Sequence, residues 1–211
     1  MTAVPPSAAA RERTPYSVAA RELLRDTLLD GARDLVMESS WAEVTMNDVA
    51  TAAGVSRQTL YSEFGSRAEF AQAFVLRESE MFLAAVEAAV NSHLDDPTAA
   101  LSAALEVFMT AAQEHPLIRA VVSGDGTADG LLPFLTTQGK PVVQMASDRL
   151  AAVMVAGWPQ VSEHDAVLLA DCLVRLAISY AALPSASKGV TAKSVTTVLG
   201  PYIERVVGSA S

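Results

Sequence analysis

The sequence predicts an all-α protein of about nine helices. Through most of the chain, apolar residues recur every three or four positions, which is the period of an amphipathic helix. No segment alternates with the period of two that a half-buried strand requires. Of the 211 residues, 51% are hydrophobic and 18% are charged. That composition is too apolar for a disordered chain and is sufficient for a packed core.

Composition also limits the possible functions. Lys and Arg number 15 against 24 Asp and Glu, a formal net charge of −9, which excludes an indiscriminate polybasic binder of nucleic acid or membranes. The longest stretch without these charges, residues 150–162, is shorter than the ~20 residues of a membrane-spanning helix. Residues 1–10 lack a signal-peptide pattern, and Cys172 is the single cysteine. These features predict a soluble cytoplasmic protein.

The chain begins with a segment of low apolar periodicity. Residues 1–15 are rich in Ala, Pro, Ser and Thr and are interpreted as a mobile arm. A first helix is predicted from about Ser17 to Glu38, and Trp41 is expected to fill the core beside it. The inward stripe of this helix consists of Leu24, Leu28, Ala32 and Leu35.

A long amphipathic helix is predicted after residues 45–64, which are considered below. Ser66 as N-cap and Glu69 three residues later form a capping box. The apolar stripe continues to about Asn91, so the helix has roughly 25 residues and a length of ~38 Å. Asp96-Pro97 then supplies an N-cap and a first-turn proline for the next helix.

The remaining helices are predicted from apolar runs between breakers. A short helix is expected near residues 116–122, and a helical region over residues 128–157 is interrupted at Gly139-Lys140-Pro141. The helix predicted over residues 162–183 is apolar on most faces and should be buried on most faces. The last helix presents Val195, Val198, Leu199, Tyr202 and Val206.

The segment 45–64 has the pattern of a helix-turn-helix. Thr45 can cap a first helix, with Asp48 near its positive end. Gly54 lies where the turn needs a positive φ, and Ser56 can cap a second helix. A small core between the two helices is predicted from Val49, Ala53, Val55 and Leu60.

The second of these helices is predicted to expose polar side chains that suit DNA. Arg57 and Gln58 suit base edges, whereas the hydroxyls of Thr59, Tyr61 and Ser62 suit phosphate oxygens. Two alternatives stay open from the residues alone: Arg57 and Gln58 as an ordinary solvated face, and Tyr61 as partly a core residue.

Residues 45–74, TMNDVATAAGVSRQTLYSEFGSRAEFAQAF, resemble the DNA-binding segment of the TetR family of bacterial transcriptional regulators. The small residue four positions before Gly-Val-Ser, the Leu-Tyr pair and the Phe-Gly-Ser-basic exit occur in the family's order. The resemblance implies an N-terminal three-helix DNA-binding domain over residues 16–65 and a regulatory ligand-binding and dimerisation domain over residues 66–211. It further implies a repressor that a small effector releases from its operator, and the large apolar side chains of the middle helices predict that this effector is largely apolar.

The same resemblance implies roles for individual residues. It places the helix of residues 56–62 in the major groove, where Arg57, Gln58 and Thr59 would read bases. It puts Arg67 where the family commonly has a lysine that binds phosphate, a contact that an arginine can make in bidentate fashion. The full set of implied DNA contacts is Thr45, Ser56, Arg57, Gln58, Thr59, Tyr61, Ser62 and Arg67.

One residue of the motif departs from the family. Thr45 and Tyr61 resemble the family's phosphate-binding hydroxyls, but Glu63 stands where His or Tyr is common. A carboxylate cannot donate a hydrogen bond to phosphate, so Glu63 is expected to pair with Arg67 or to point away from DNA.

The distribution of charge along the chain is compatible with a local positive surface. Residues 1–70 contain seven basic and ten acidic residues, and the remainder contains eight and fourteen, so neither part is basic. The first 25 residues nevertheless carry four arginines against two glutamates. With Arg57 and Arg67 they could form a positive surface, and only a modest salt dependence of DNA binding is predicted.

The resemblance also implies a homodimer. The last two helices, at about residues 168–183 and 195–207, have more apolar surface than one core needs, and in this family two such helices from each subunit form the interface. Two-fold symmetry would then place two reading helices on a palindrome-like operator in double-stranded DNA.

An effector pocket is predicted among the middle helices, where large and adaptable side chains occur. A purely structural role stays open for any one of them. Asp171 and Arg175 share one stripe of a helix; they either pair with each other or offer a polar group to the pocket. The candidate pocket residues are Phe82, Phe108, Met109, Phe134, Met145, Met154, Trp158, Arg175 and Tyr180.

No enzyme is predicted. The three histidines, at 93, 115 and 164, lack metal-ligand spacing, and Cys172 lacks the flanks of a nucleophile motif. Phosphate-loop and dinucleotide-binding glycine patterns do not occur, so neither a metal nor a cofactor is expected. A second alternative is a helical small-molecule-binding protein whose helix-turn-helix no longer binds DNA, which Glu63 and the acidic balance favour.

Overall fold

The computed structural model describes residues 16–114, 130–182 and 192–208. In these ranges there are nine helices and no strand, so the predicted all-α class is confirmed. The predicted arm at residues 1–15 and the short helix expected near residues 116–122 lie outside the described residues. The helices are α1 (Tyr16–Glu38), α2 (Met46–Ala52), α3 (Arg57–Phe64), α4 (Arg67–Asn91), α5 (Pro97–Glu114), α6 (Leu132–Leu135), α7 (Lys140–Gly157), α8 (Glu163–Ala182) and α9 (Ala192–Gly208).

Helices α1 to α3 pack around an N-terminal core that the first part of α4 completes. Trp41 lies in this core with 3% of its surface exposed, and its ring stacks on Phe74 at 5.5 Å between centroids. Leu131 and Val142 also belong to it, so this core extends beyond residue 65, and the division of domains there stays a prediction. Its fully buried members include Leu28, Val49, Leu60, Phe70, Phe74 and Val75.

The other helices form a C-terminal core. It is built from the second half of α4 together with α5, α7, α8 and α9. A small adjoining cluster of Leu83, Ala146 and Val174 joins α4, α7 and α8. None of the helices in the described residues is long and apolar enough to cross a membrane. The main members of the C-terminal core are Val86, Leu101, Met154, Trp158, Ala166, Leu169, Ala170 and Ile203.

Helix α4 belongs to both cores. Its first turns place Phe70 and Phe74 in the N-terminal core, and its later turns place Val86 and Val90 in the C-terminal core. The helix spans Arg67–Asn91, as its capping box and apolar stripe predict, and at 1.5 Å per residue it is about 38 Å long. Ser66 caps it by accepting a hydrogen bond from the Glu69 backbone N–H.

Ion pairs fix α4 to α1. The guanidinium of Arg77 binds the carboxylate of Asp30 and donates to the Asp26 carbonyl at 2.8 Å. Glu78 is only 2% exposed and lies 3.7 Å from the Arg33 guanidinium. Burial raises the pKa of Glu78, and the charges of Arg33 and Arg77 oppose that rise. The junction between the helix-turn-helix and α4 is therefore partly ionic.

A further ion pair fixes α4 to α7. Arg149 donates two hydrogen bonds to the Glu87 carboxylate, at 2.7 and 2.6 Å. Its guanidinium also donates to the Glu80 carbonyl at 3.2 Å. Bidentate pairs of this kind are among the stronger surface ion pairs because their geometry is defined. Helix α4 is thus held by packing and by charge to α1 near its middle and to α7 nearer its C-terminal end.

Candidate nucleic-acid interface and apolar cavity

Helix α2 begins at a capping box formed by Thr45 and Asp48. The Thr45 hydroxyl accepts a hydrogen bond from the Asp48 N–H at 3.2 Å, and the Asp48 carboxylate accepts one from the Thr45 N–H at 3.0 Å. The hydroxyl also donates to that carboxylate at 2.7 Å, and these bonds lower the pKa of Asp48. Because the hydroxyl proton of Thr45 is used within the box, a phosphate contact from it stays a prediction.

The turn between α2 and α3 depends on Gly54. This residue has φ of +68°, a conformation that residues with a Cβ rarely adopt. An added Cβ would have no other atom within 4 Å, so the backbone angle alone requires glycine. The turn closes with a hydrogen bond from the Val55 N–H to the Ala50 carbonyl at 2.9 Å. Ser56 then caps α3 by accepting a hydrogen bond from the Thr59 N–H at 3.0 Å.

Helix α3 has one buried and one exposed face. Leu60 is fully buried and Phe64 is nearly so. Arg57, Gln58 and Ser62 are exposed, whereas Thr59 and Tyr61 are half-buried. Tyr61 packs partly against the N-terminal core, and the Arg57 guanidinium lies 5.3 Å from its ring centroid. The exposed face can therefore present an arginine, a glutamine and hydroxyl groups to DNA; that it does so stays a prediction.

Arg67 has a structural role. Its guanidinium donates to the Val44 carbonyl at 2.6 Å and to the Trp41 carbonyl at 3.0 Å, and it lies 5.0 Å from the Trp41 ring centroid. These contacts fix the turn that leads into α2. A phosphate contact by Arg67 stays a prediction and would use the N–H groups that these two bonds leave over.

Glu63 pairs with α1. The structure corrects the expectation of a pair with Arg67, because the carboxylate accepts hydrogen bonds from Arg21 Nε at 2.9 Å and Arg25 Nη1 at 2.8 Å. Sequence rules did not identify this contact because the partners are 42 and 38 residues away. Two arginines of the expected positive face are consequently paired with a carboxylate.

A cavity of about 140 Å³ lies inside the C-terminal core, between α4, α5, α7, α8 and α9. Its wall is formed by aliphatic and aromatic side chains and the thioethers of methionine. Trp158 carries the one N–H donor among these side chains, and that indole N–H already donates to the Leu94 carbonyl at 2.9 Å. Five candidate pocket residues lie in this wall: Phe82, Phe108, Met109, Met154 and Trp158.

Three other candidate residues lie elsewhere, which corrects the expectation that they share one pocket. Phe134 packs against the N-terminal core, and Met145 packs against the cluster of Leu83, Ala146 and Val174. Arg175 is exposed and donates to the Asp171 carboxylate at 2.7 Å, so it forms the structural pair rather than a polar group of the pocket. The side chain of Tyr180 lies outside the described residues.

Most of the cavity wall consists of smaller residues that the sequence did not single out. The sequence prediction selected mainly large Phe, Met and Trp side chains as pocket linings. Much of the wall, however, comes from the inward stripes of α5 and α8. The helical period of these stripes could have identified them. They include Leu101, Ala104, Leu105, Leu169, Leu173, Leu176 and Ala177.

Helices α8 and α9 also carry apolar residues on their outer faces. Val167 and Leu168 of α8 are 47% and 51% exposed, and Val198 of α9 is 75% exposed. Tyr202, one turn after Val198, is 39% exposed and lies under the Arg205 guanidinium at 4.9 Å. Exposed apolar residues on two successive helices are typical of a surface that contacts another protein. Among the described residues, no group of three His, Cys, Asp or Glu is placed to hold a metal ion.

The chain is similar to bacterial regulators along most of its length. Residues 28–74 match the family model described as "Bacterial regulatory proteins, tetR family", and residues 96–201 match "Bacterial Tetracyclin repressor, C-terminal domain". The HTH-type transcriptional regulator AlkX of Mycobacterium tuberculosis is 35% identical over 194 residues, which is 92% of each chain.

Solved structures show the same architecture. The TetR family repressor AlkX from Dietzia sp., described as implicated in biodegradation of n-alkanes, is 36% identical with a TM-score of 0.76; the match covers 87% of this chain and 96% of that one. A TetR-family regulator from Pectobacterium atrosepticum has a TM-score of 0.63 at 18% identity, over 92% and 98% of the two chains. The second likeness concerns the fold alone.

Proposed function

The chain belongs to the TetR family of bacterial transcriptional regulators, and we propose on that basis that it is a cytoplasmic repressor whose dimer leaves its operator when an apolar effector enters the cavity. It is a DNA-binding regulator and not an enzyme. One observation carries the proposal: the single helix α4 lines the cavity with Phe82 and Val86 and completes the helix-turn-helix core with Phe70 and Phe74.

The effector would act by shifting a population of conformations. A ligand that fills the cavity would favour positions of α4 in which the two α3 helices of the dimer no longer match the spacing of the operator. The ion pairs of Arg77 with Asp30 and of Arg149 with Glu87 join α4 to its neighbours on both sides. Movement of the cavity wall would therefore be transmitted to α1 and hence to α3.

The lining of the cavity supports an apolar class of effector. Its lining offers no unpaired polar side chain among the described residues, so a ligand with several buried polar groups would lose their hydration without replacement. A cavity of about 140 Å³ with this lining suits a saturated hydrocarbon chain. The n-alkane connection of the Dietzia repressor supports the same class and suggests genes of hydrocarbon metabolism as targets.

The proposal is tested by binding of the protein to DNA from the vicinity of its own gene. A gel shift should show a dimer on a palindrome-like site, and n-decane added with a cyclodextrin carrier should release it, whereas the carrier alone should not. Failure to bind any site there would favour the alternative, a helical ligand-binding protein that no longer binds DNA. Binding that resists n-decane and decanoic acid alike would contradict the proposed effector class.

Filling the cavity is expected to make operator binding insensitive to n-decane. Ala104 lies in the wall and is half-buried, so Ala104→Trp would occupy space that a ligand needs. We expect the n-decane concentration for half-release to rise at least about tenfold, since overlap with the ligand is costly. Operator affinity should fall relative to the wild type, because an indole that fills the cavity acts on α4 as the effector does. The matched control is Ala152→Trp, which places the same side chain on an exposed position of α7. Unchanged release in Ala104→Trp would place the effector elsewhere.

Charges on the outer faces of α8 and α9 are expected to separate the dimer. In a two-fold interface each substitution occurs twice, and an unpaired buried carboxylate costs several kcal/mol. The double variant Leu168→Glu/Val198→Glu should therefore sediment as a monomer at micromolar concentration, with its helical circular dichroism retained. The variant Leu23→Glu changes a residue of α1 that is 68% exposed and should leave the dimer intact. A double variant that remains dimeric would place the interface on another surface.

A further inference from the structure

Glu63 lies on the proposed reading helix, yet its carboxylate faces α1. The Glu63 side chain is 9% exposed and accepts hydrogen bonds from Arg21 and Arg25 of α1. Arg21 Nε lies 2.9 Å from each carboxylate oxygen, and Arg25 Nη1 lies 2.8 Å from one of them. Three charge-assisted hydrogen bonds thus converge on one carboxylate.

The two arginines differ in how firmly they are held. The side chain of Arg25 is 38% exposed and lies 4.3 Å over the ring of Phe64, which anchors it against the N-terminal core. The side chain of Arg21 is 64% exposed and has no such ring contact among those observed. Glu63 is therefore the group that joins both guanidinium groups to α3.

The charged cluster borders the exposed face of α3. Glu63 shares a cleft of about 330 Å³ between α1 and α3 with Leu24, Gln58 and Ser62. Gln58 and Ser62 are exposed members of the proposed DNA-contacting face. Glu63 lines this cleft and binds Arg21 and Arg25. A duplex bound to the exposed face of α3 would therefore bring its phosphates near both arginines.

The carboxylate is ionised at neutral pH. Burial acts to raise the pKa of Glu63, but the hydrogen bonds from Arg25 and Arg21 and their positive charges together outweigh burial and lower it. The cluster of two guanidinium groups and one carboxylate consequently carries a net charge of about +1 instead of +2. Both arginines also have donors committed to a protein acceptor.

We propose that Glu63 is a positioning residue that holds Arg21 and Arg25 as counter-ions and so restrains their attraction to the phosphates of any duplex. Phosphate contacts are independent of sequence and dominate non-specific affinity. A carboxylate that competes for the same guanidinium groups weakens that contribution on every DNA. Binding to DNA of other sequence, which has no base contacts to add, is thereby kept weak, while base contacts by α3 still distinguish the operator. This inference rests on the proposed function, since it assumes that α3 faces DNA.

The test compares the wild type with Glu63→Gln, which keeps the shape and removes the charge. On a duplex of scrambled sequence, the variant should bind about tenfold tighter at low salt. Its plot of log Kd against log salt should be steeper by about 2–4, because up to two arginines per subunit become available to phosphate at about 0.9 per contact. Operator affinity should rise by a similar factor, because the same phosphate contacts are gained on both duplexes, so the ratio of the two affinities should change by less than about twofold.

Two controls separate this role from others. Glu106→Gln removes the same charge from an exposed position on α5 and should change neither the salt slope nor the affinity for the scrambled duplex, which excludes a general effect of net charge. Adding Arg21→Gln and Arg25→Gln to Glu63→Gln should reverse the gain in non-specific affinity. Melting temperature reports whether each variant stays folded.

Other outcomes overturn the inference in distinguishable ways. If the wild type binds its operator but Glu63→Gln gains nothing on scrambled DNA, Glu63 does not restrain the arginines and the proposed function stands. Loss of operator binding without a change of slope would show that Glu63 only fixes the orientation of α3. If neither protein binds any duplex, the proposed function and this inference both fail.

Discussion

Replacing Gln58 with alanine is expected to weaken operator binding by roughly 30-fold to 10⁴-fold. A good side-chain contact to a base edge contributes about 1–3 kcal/mol of discrimination, and a two-fold dimer loses the contact twice. Gln58 is exposed near the start of α3, on a helix whose first turn is fixed by the Ser56 cap and whose inner face is buried through Leu60. Its side chain is therefore presented on a rigid element.

The measurement is fluorescence anisotropy with the labelled operator at one fixed salt concentration, because affinities for DNA change steeply with salt. Binding to a scrambled duplex should change less than twofold, since the lost contact is to a base. Gln144→Ala serves as the matched control, because Gln144 is an exposed glutamine of α7 that bonds to Asp148. Equal losses on operator and scrambled DNA would assign Gln58 to the phosphate backbone instead.

Replacing Phe70 with alanine is expected to destabilise the fold by about 3–5 kcal/mol. Phe70 is fully buried at the start of α4, packs edge-on against Phe64 with 4.8 Å between ring centroids, and stacks near Trp41 at 6.4 Å. Its removal leaves a void between α3 and α4 that neighbouring rings cannot fill without moving. A domain of this kind has about 5–15 kcal/mol of stability in total, so the loss is a large fraction.

Thermal unfolding by circular dichroism should show a Tm lower by about 6–20 °C at equal protein concentration, from 2–4 °C per kcal/mol. Leu23→Ala is the control, because Leu23 is 68% exposed and should change the Tm by little. A fall of less than about 3 °C in Phe70→Ala would mean that the aromatic cluster contributes far less than its burial indicates. Operator binding of the variant should be measured well below its Tm.

The parts of the fold that sequence predicts well are those set by neighbours along the chain. Ser66 with Glu69 predicts the start of α4, and the persistence of its apolar stripe predicts the end near Asn91. Thr45 with Asp48 and the glycine at position 54 likewise predict α2 and the following turn. Caps and turns of this type depend on residues at most a few positions apart, so one sequence is sufficient to place them.

The contacts that sequence did not predict join residues far apart in the chain. Glu63 binds arginines of α1 about forty positions earlier, and Arg67 binds the carbonyls of Trp41 and Val44. No periodicity of one helix encodes the angle at which another helix crosses it. The cavity was located only in part for the same reason: Phe82 and Phe108 lie in its wall, whereas Phe134, equally large and apolar, packs in the other core.

The absence of an available polar side chain from the described cavity wall has a consequence for selectivity. A hydrophobic site cannot strongly reject a ligand that differs by one methylene or by an added hydroxyl, because it has no hydrogen bond to lose. Each buried methylene contributes about 0.8 kcal/mol, or roughly a fourfold change in affinity. The affinity of such a regulator would change in graded steps with the size of the hydrocarbon, and its response to a mixture would follow the sum of the concentrations, each weighted by its own affinity.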